Sequence, residues 1–60
     1  MTRLRKIRLE RKMTQQQLAV ITGFKQPNLC RHELRGVTQV KTAKRYARAL
    51  DCSWLDIIEL

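Results

Sequence analysis

The sequence predicts an all-α fold, five short helices packed as an orthogonal bundle. Three observations predict it. Apolar residues recur at helical spacing, and no run alternates as a strand would. Punctuation is sparse: two glycines and one proline, each at the border of a helical segment. The segments are also too short and too often interrupted for a long coiled coil.

The first helix is expected over about Thr2 to Lys12. Leu4, Ile7 and Arg11 fall near one face with Arg8 beside them, and Leu9 lies off it, free to pack on another helix or on a partner chain. The second helix opens at Thr14. Thr14-Gln-Gln-Gln17 is a capping box, in which the threonine hydroxyl accepts from the Gln17 N–H and the Gln17 side chain reaches back. Leu18, Ala19 and Ile21 supply its apolar surface, and Gly23 ends it in a left-handed conformation that costs glycine little.

The third helix is expected over Gln26 to Arg35. Pro27 falls in the first turn, where its missing N–H breaks no intrahelical bond. Leu29 and Glu33 lie one turn apart with His32 beside them, and Gly36 terminates. The fourth helix runs from about Gln39 to Leu50, with Thr38 as its cap and Val40, Ala43, Ala47 and Leu50 as its inward stripe; Asp51 tolerates the helix-end geometry. Ser53 caps a last short helix, and Ser53-Trp-Leu-Asp56 reads as a second capping box.

A chain of 60 residues makes one domain over 1–60, with a core too small for a deep substrate pocket. Its hydrophobic content of 43% is that of a folded protein. Thirteen Lys and Arg against five Asp and Glu give a net charge of +8, a self-repulsion that a polyanion would offset. Nucleic acid is the partner this excess favours over a merely soluble basic surface. No apolar run reaches the length of a signal peptide or a membrane span. Cys30, Cys52 and His32 have no metal-ligand spacing, and both cysteines read as reduced thiols, a disulfide between them being the lesser reading. No carboxylate pair, nucleophile–base pair or phosphate-binding loop points to an enzyme, and no cofactor, metal or small-molecule substrate is expected.

The stretch from Thr14 to Glu33 carries a more specific pattern. Two helices that cross closely around a short turn need a small residue at the crossing, here Ala19, and a turn residue tolerant of positive φ, here Gly23. They also need apolar residues that fix the angle, here Phe24 and Leu29. In these residues the sequence resembles the lambda-repressor-like, Cro/repressor-type helix-turn-helix family. The resemblance covers nearly the whole chain. Ile7-Arg8 with Met13-Thr14-Gln15 looks like the exit from that family's first helix. Ala19, Gly23, Leu29 and Glu33 match in register, and Ala47–Leu50 with Cys52-Ser53-Trp54-Leu55 resembles its last two helices. The chain departs from the pattern at Lys25, where a Ser or Thr commonly caps the third helix, at Pro27, and at Gly36, which falls one position late.

The resemblance implies a regulator that binds double-stranded DNA at an operator, as a homodimer at least on DNA, inside a bacterial cell or phage-infected host, with no membrane partner. It implies that Gln26, Pro27, Asn28 and Arg31 face base edges. Gln and Asn can pair bidentately with adenine and Arg with guanine. It implies that Gln15 anchors a phosphate at a helix N-terminus, and that Arg8 and Glu33 form a partly buried ion pair orienting the third helix. His32 then stands where the family has a large apolar or aromatic side chain, and reads as a partly packed histidine. Lys25, in the turn, and Lys41 and Lys44, early in the fourth helix, are placed to reach phosphates, although such lysines also serve simply as solvated charge. Cys30 reads as a small packing residue. Trp54, Leu55, Ile57, Ile58 and Leu60 make an apolar tail, part core and part dimer surface. A repressor or Cro-like switch acting by operator occupancy is the leading reading. The alternative is a helix-turn-helix module that holds a protein partner, such as an antitoxin or a recombination-directionality factor.

Overall fold

The computed structural model describes residues 1–59 and is helical, in the order α1 (Arg3–Glu10), α2 (Gln15–Thr22), α3 (Gln26–Arg35), α4 (Val40–Leu50) and a 3₁₀ turn, Trp54–Asp56. The expected fifth helix is reduced to that 3₁₀ turn. Ser53 accepts from the Leu55 N–H rather than from Asp56, so its second capping box does not form.

Helix ends are set partly by local caps and partly by side chains from other helices. Thr2 caps α1, and its hydroxyl also donates to the Glu33 carbonyl (2.6 Å), which ties the start of α1 to α3. Lys12 enters the left-handed region (φ 57°) and the Met13 N–H returns to the Arg8 carbonyl, closing the end of α1. Both halves of the Thr14 capping box are made. At the end of α4 Asp51 takes φ 54°, and Arg11 reaches across from α1 to donate to the Leu50 carbonyl at 2.9 Å. Arg11 therefore closes a neighbouring helix instead of joining the buried face of its own.

The core is built from Leu4, Leu18, Leu29, Val37, Ala43, Tyr46, Leu50 and Ile57, all 2% exposed or less, with Ala19, Ala47 and Ile58 around them. Two expectations for this core need correction. Ile21 is 59% exposed, and Thr22, bonded to the Leu18 carbonyl, takes the buried position near the end of α2. Val40 is 42% exposed, because α4 starts there with Gln39, not Thr38, at its cap and no side-chain cap bond. The inward stripe of α4 is Ala43, Tyr46, Ala47 and Leu50. Leu9, off the α1 face, is 46% exposed.

The segments around Arg3, Val37 and Glu59 meet in one seam. Val37 and Ile58 form an isolated parallel bridge, and the Glu59 N–H donates to the Val37 carbonyl (2.7 Å). Gly36 makes room for this. Its φ is +95°, and a Cβ there would lie 2.7 Å from Cγ of Glu59. The Glu59 carboxylate in turn accepts from the Arg3 N–H (2.7 Å). In the apolar tail Ile57 and Ile58 are core, Trp54 packs partly against it, and Leu55 stays 58% exposed. Leu60 lies outside the described residues. The surface left for a partner on this tail is thus smaller than its composition suggests.

Candidate nucleic-acid interface

The helices α2 and α3 form the helix-turn-helix. Ala19 (9% exposed) sits at their crossing, and Gly23 turns the chain at φ 79°. Lys25 then opens α3 in an extended conformation with no side-chain cap bond, and Pro27 stands in the first turn. With a proline there, fewer N–H groups await an acceptor at this uncapped start.

Periodicity splits α3 into two faces. Leu29 and Glu33 are buried, while Pro27, Asn28, Arg31, Leu34 and Arg35 are exposed on the opposite side. Gln26 is also exposed, but two positions from Asn28 it projects on another side of the helix. Asn28 and Arg31 are joined: Nη2 of Arg31 donates to Oδ1 of Asn28 at 2.6 Å. Glu33 is the sole acidic residue of α2 and α3, and its carboxylate is turned inward, 3% exposed. The outward surface of these helices therefore carries Lys25, Arg31 and Arg35 with no exposed carboxylate among them.

Two anchors fix α3. One is charged. Nε and Nη2 of Arg8 donate to the two carboxylate oxygens of Glu33, and Nη1 donates to the Met13 carbonyl at 2.7 Å. Nε2 of Gln15 adds a third donor to Glu33 at 3.0 Å. Gln15, read from the sequence as a phosphate anchor, thus spends one amide hydrogen inside this cluster and keeps another.

The other anchor is aromatic. Phe24 stacks on Tyr46 (centroids 5.0 Å apart), and His32 meets both rings edge-on. Nδ1 of His32 lies 2.7 Å from the Tyr46 hydroxyl. Burial lowers the His32 pKa, with the Arg31 charge adding to the effect. Burial, with Glu33 nearby, pushes the Tyr46 hydroxyl well above its usual range. Arg45 covers the cluster. Its guanidinium carbon lies 4.5 Å from the Phe24 ring centroid, and its Nε donates to the Thr22 carbonyl (2.8 Å), capping the end of α2.

Sequence reasoning missed Tyr46 and Arg45. Tyr46 follows Ala43 by three positions and precedes Leu50 by four, so the α4 stripe itself was the available signal. Arg45 had none, since a cap on a distant helix leaves no local pattern. Of the two lysines read on α4, Lys44 leans toward the Trp54 ring, with Nζ 6.0 Å from the centroid. Lys41 is exposed in the first turn. The structure brings Lys25, Gln26 and Pro27 together at the start of α3, and Asn28 with Arg31 on its outer face. It does not bring Lys44 to that face. Cys30 and Cys52 are free and partly buried.

No helix among the described residues is long and apolar enough to cross a membrane. Comparison with curated proteins and with solved structures gives no match. The family model of the Cro/C1-type HTH DNA-binding domain, in contrast, matches residues 3–60. With a glycine-turned α2–α3 pair, an outward-facing α3 and a match over nearly its whole length, the chain belongs to the Cro/C1-type helix-turn-helix DNA-binding domain family.

Proposed function

We propose that this chain is a sequence-specific regulator of transcription, a phage or prophage repressor or Cro-like protein that acts in the cytoplasm by occupying an operator. One observation carries the reading. The outer face of α3 offers Pro27, Asn28 and Arg31, with Gln26 at its start, and no acidic side chain is exposed on either helix of the motif. A helix of this kind enters the major groove by its N-terminal residues. Arg31 suits guanine, Gln26 suits adenine, and Pro27 suits a thymine methyl group. The Gln15 amide and the Lys25 ammonium serve phosphates beside the motif, and Lys41 and Lys44 serve the flanking strand. Two copies on one duplex would set their α3 helices about one DNA turn apart, ~34 Å.

Selection from a pool of random duplexes, followed by footprinting of the winner, tests this. The expected result is a palindromic consensus with half-sites one turn apart. A pool with no enriched sequence ends the reading. Lys25→Ala should weaken binding to all duplexes about equally and lower the salt dependence by about one counterion.

A further inference from the structure

We infer that Asn28 and Arg31 work as one reading unit, in which Asn28 aims Arg31 at a guanine and does not itself read adenine. The inference rests on the DNA-facing role proposed above for α3. The two residues stand one turn apart on its outer face, both exposed, and are joined by a 2.6 Å hydrogen bond. A guanidinium has only donors, so the amide oxygen of Asn28 is the atom that must face it.

That bond changes what Asn28 can recognise. Reading adenine asks an asparagine for an acceptor toward the N6 amino group and a donor toward N7 at once. Here the acceptor is engaged by a cation. An adenine amino group brought beside it would stand donor against donor with Arg31. Outward, the pair presents mainly donors, the remaining guanidinium hydrogens and the two amide hydrogens of Asn28, and the second lone pair of Oδ1 lies beside the cation, where another donor is repelled. In the major groove guanine is the base with two acceptors side by side, N7 and O6.

The rest of the structure keeps the unit intact. Glu33, the carboxylate nearest in sequence, is buried and held by Arg8 and Gln15, so it does not draw Arg31 away. The α3 backbone beneath the pair is fixed by the two anchors. Arg31 thus arrives partly ordered, which removes part of the cost of immobilising a long side chain on binding.

The test is the base preference at each operator position, measured by competition binding of singly substituted duplexes to wild type, Arg31→Ala, Asn28→Ala and Asn28→Asp. Both residues are exposed, so all variants are expected to fold. Arg31→Ala identifies the position that Arg31 reads. Asn28→Ala should reduce guanine preference at that same position by about fivefold to tenfold, the size of one ordinary hydrogen bond, since solvent screens the charge at this exposed pair. Asn28→Asp keeps the accepting oxygen and should restore it. If Asn28→Ala instead erases an adenine preference elsewhere, or changes nothing, while Arg31→Ala still flattens its own position, α3 reads DNA but the coupling is refuted. If Arg31→Ala flattens no position, Arg31 reads no base, and both the inference and the Arg31 role proposed above fail.

Discussion

The two anchors of α3 hold it in opposite ways. At Glu33 a buried charge is met by Arg8 and Gln15 through directional bonds, and each partner is needed by the others. At His32 the contacts are ring faces and edges shared among Phe24, Tyr46 and Arg45, with one hydrogen bond inside them. The difference is one of failure mode. Removing one member of the charged anchor strands an ion in low dielectric, whereas trimming the aromatic anchor leaves neighbours that can still touch.

The sharpest way to break the comparison is Glu33→Gln. It should strand Arg8 and cost about 3–5 kcal/mol. A core this small supplies roughly as much in total, so circular dichroism should find the variant largely unfolded at room temperature. Replacing both partners, Arg8→Met with Glu33→Leu, should recover at least half of that loss. If the double variant is no more stable than the single, the penalty is not charge stranding. On the aromatic side Arg45→Ala should cost about 1 kcal/mol, through the lost cap on α2 and the lost cation–ring contact. Tyr46→Phe should cost about 1 kcal/mol or less, because His32 can turn to water. A loss above 3 kcal/mol from either one would erase the distinction between the anchors.

The smallest effect is pH dependence. Burial, with the Arg31 charge nearby, holds the folded pKa of His32 below the ordinary histidine value of about 6.5. The unfolded chain therefore takes up the proton first. The contribution of His32 is complete above about pH 6.5 and is lost as the pH falls below that value, levelling off once the lower folded pKa is passed. Melting temperature measured from pH 7.5 to 5 should show this decline in the wild type and a shallower one in His32→Gln.

The same contrast explains what could be read in advance. The α2–α3 turn was legible because its requirements are local: a capping box at Thr14, a small residue at Ala19, a glycine at Gly23. Arg8 and Glu33 were legible by register within a resemblance. The aromatic anchor was legible only in Phe24 and His32, both read as packing residues, because it unites them with Tyr46 and Arg45 of α4 at a spacing that follows no single period. The start of α4 was misplaced for a related reason. Thr38 is the better cap by residue type, but the Val37–Ile58 bridge holds the preceding chain extended, and the helix begins later. Gln15 shows the remaining limit. Its position at the start of α2 was plain, yet which partner its amide meets depends on where Glu33 lies in space.

The Glu59 contacts join two stretches of chain 56 positions apart into one seam. Ends of small domains ordinarily fray independently. Here the Arg3 N–H rests on the Glu59 side chain, and the Glu59 N–H rests on Val37, beside the end of α3. Loosening either end releases the other, so the amides of residues 3 and 59 should exchange with solvent together, as one cooperative unit.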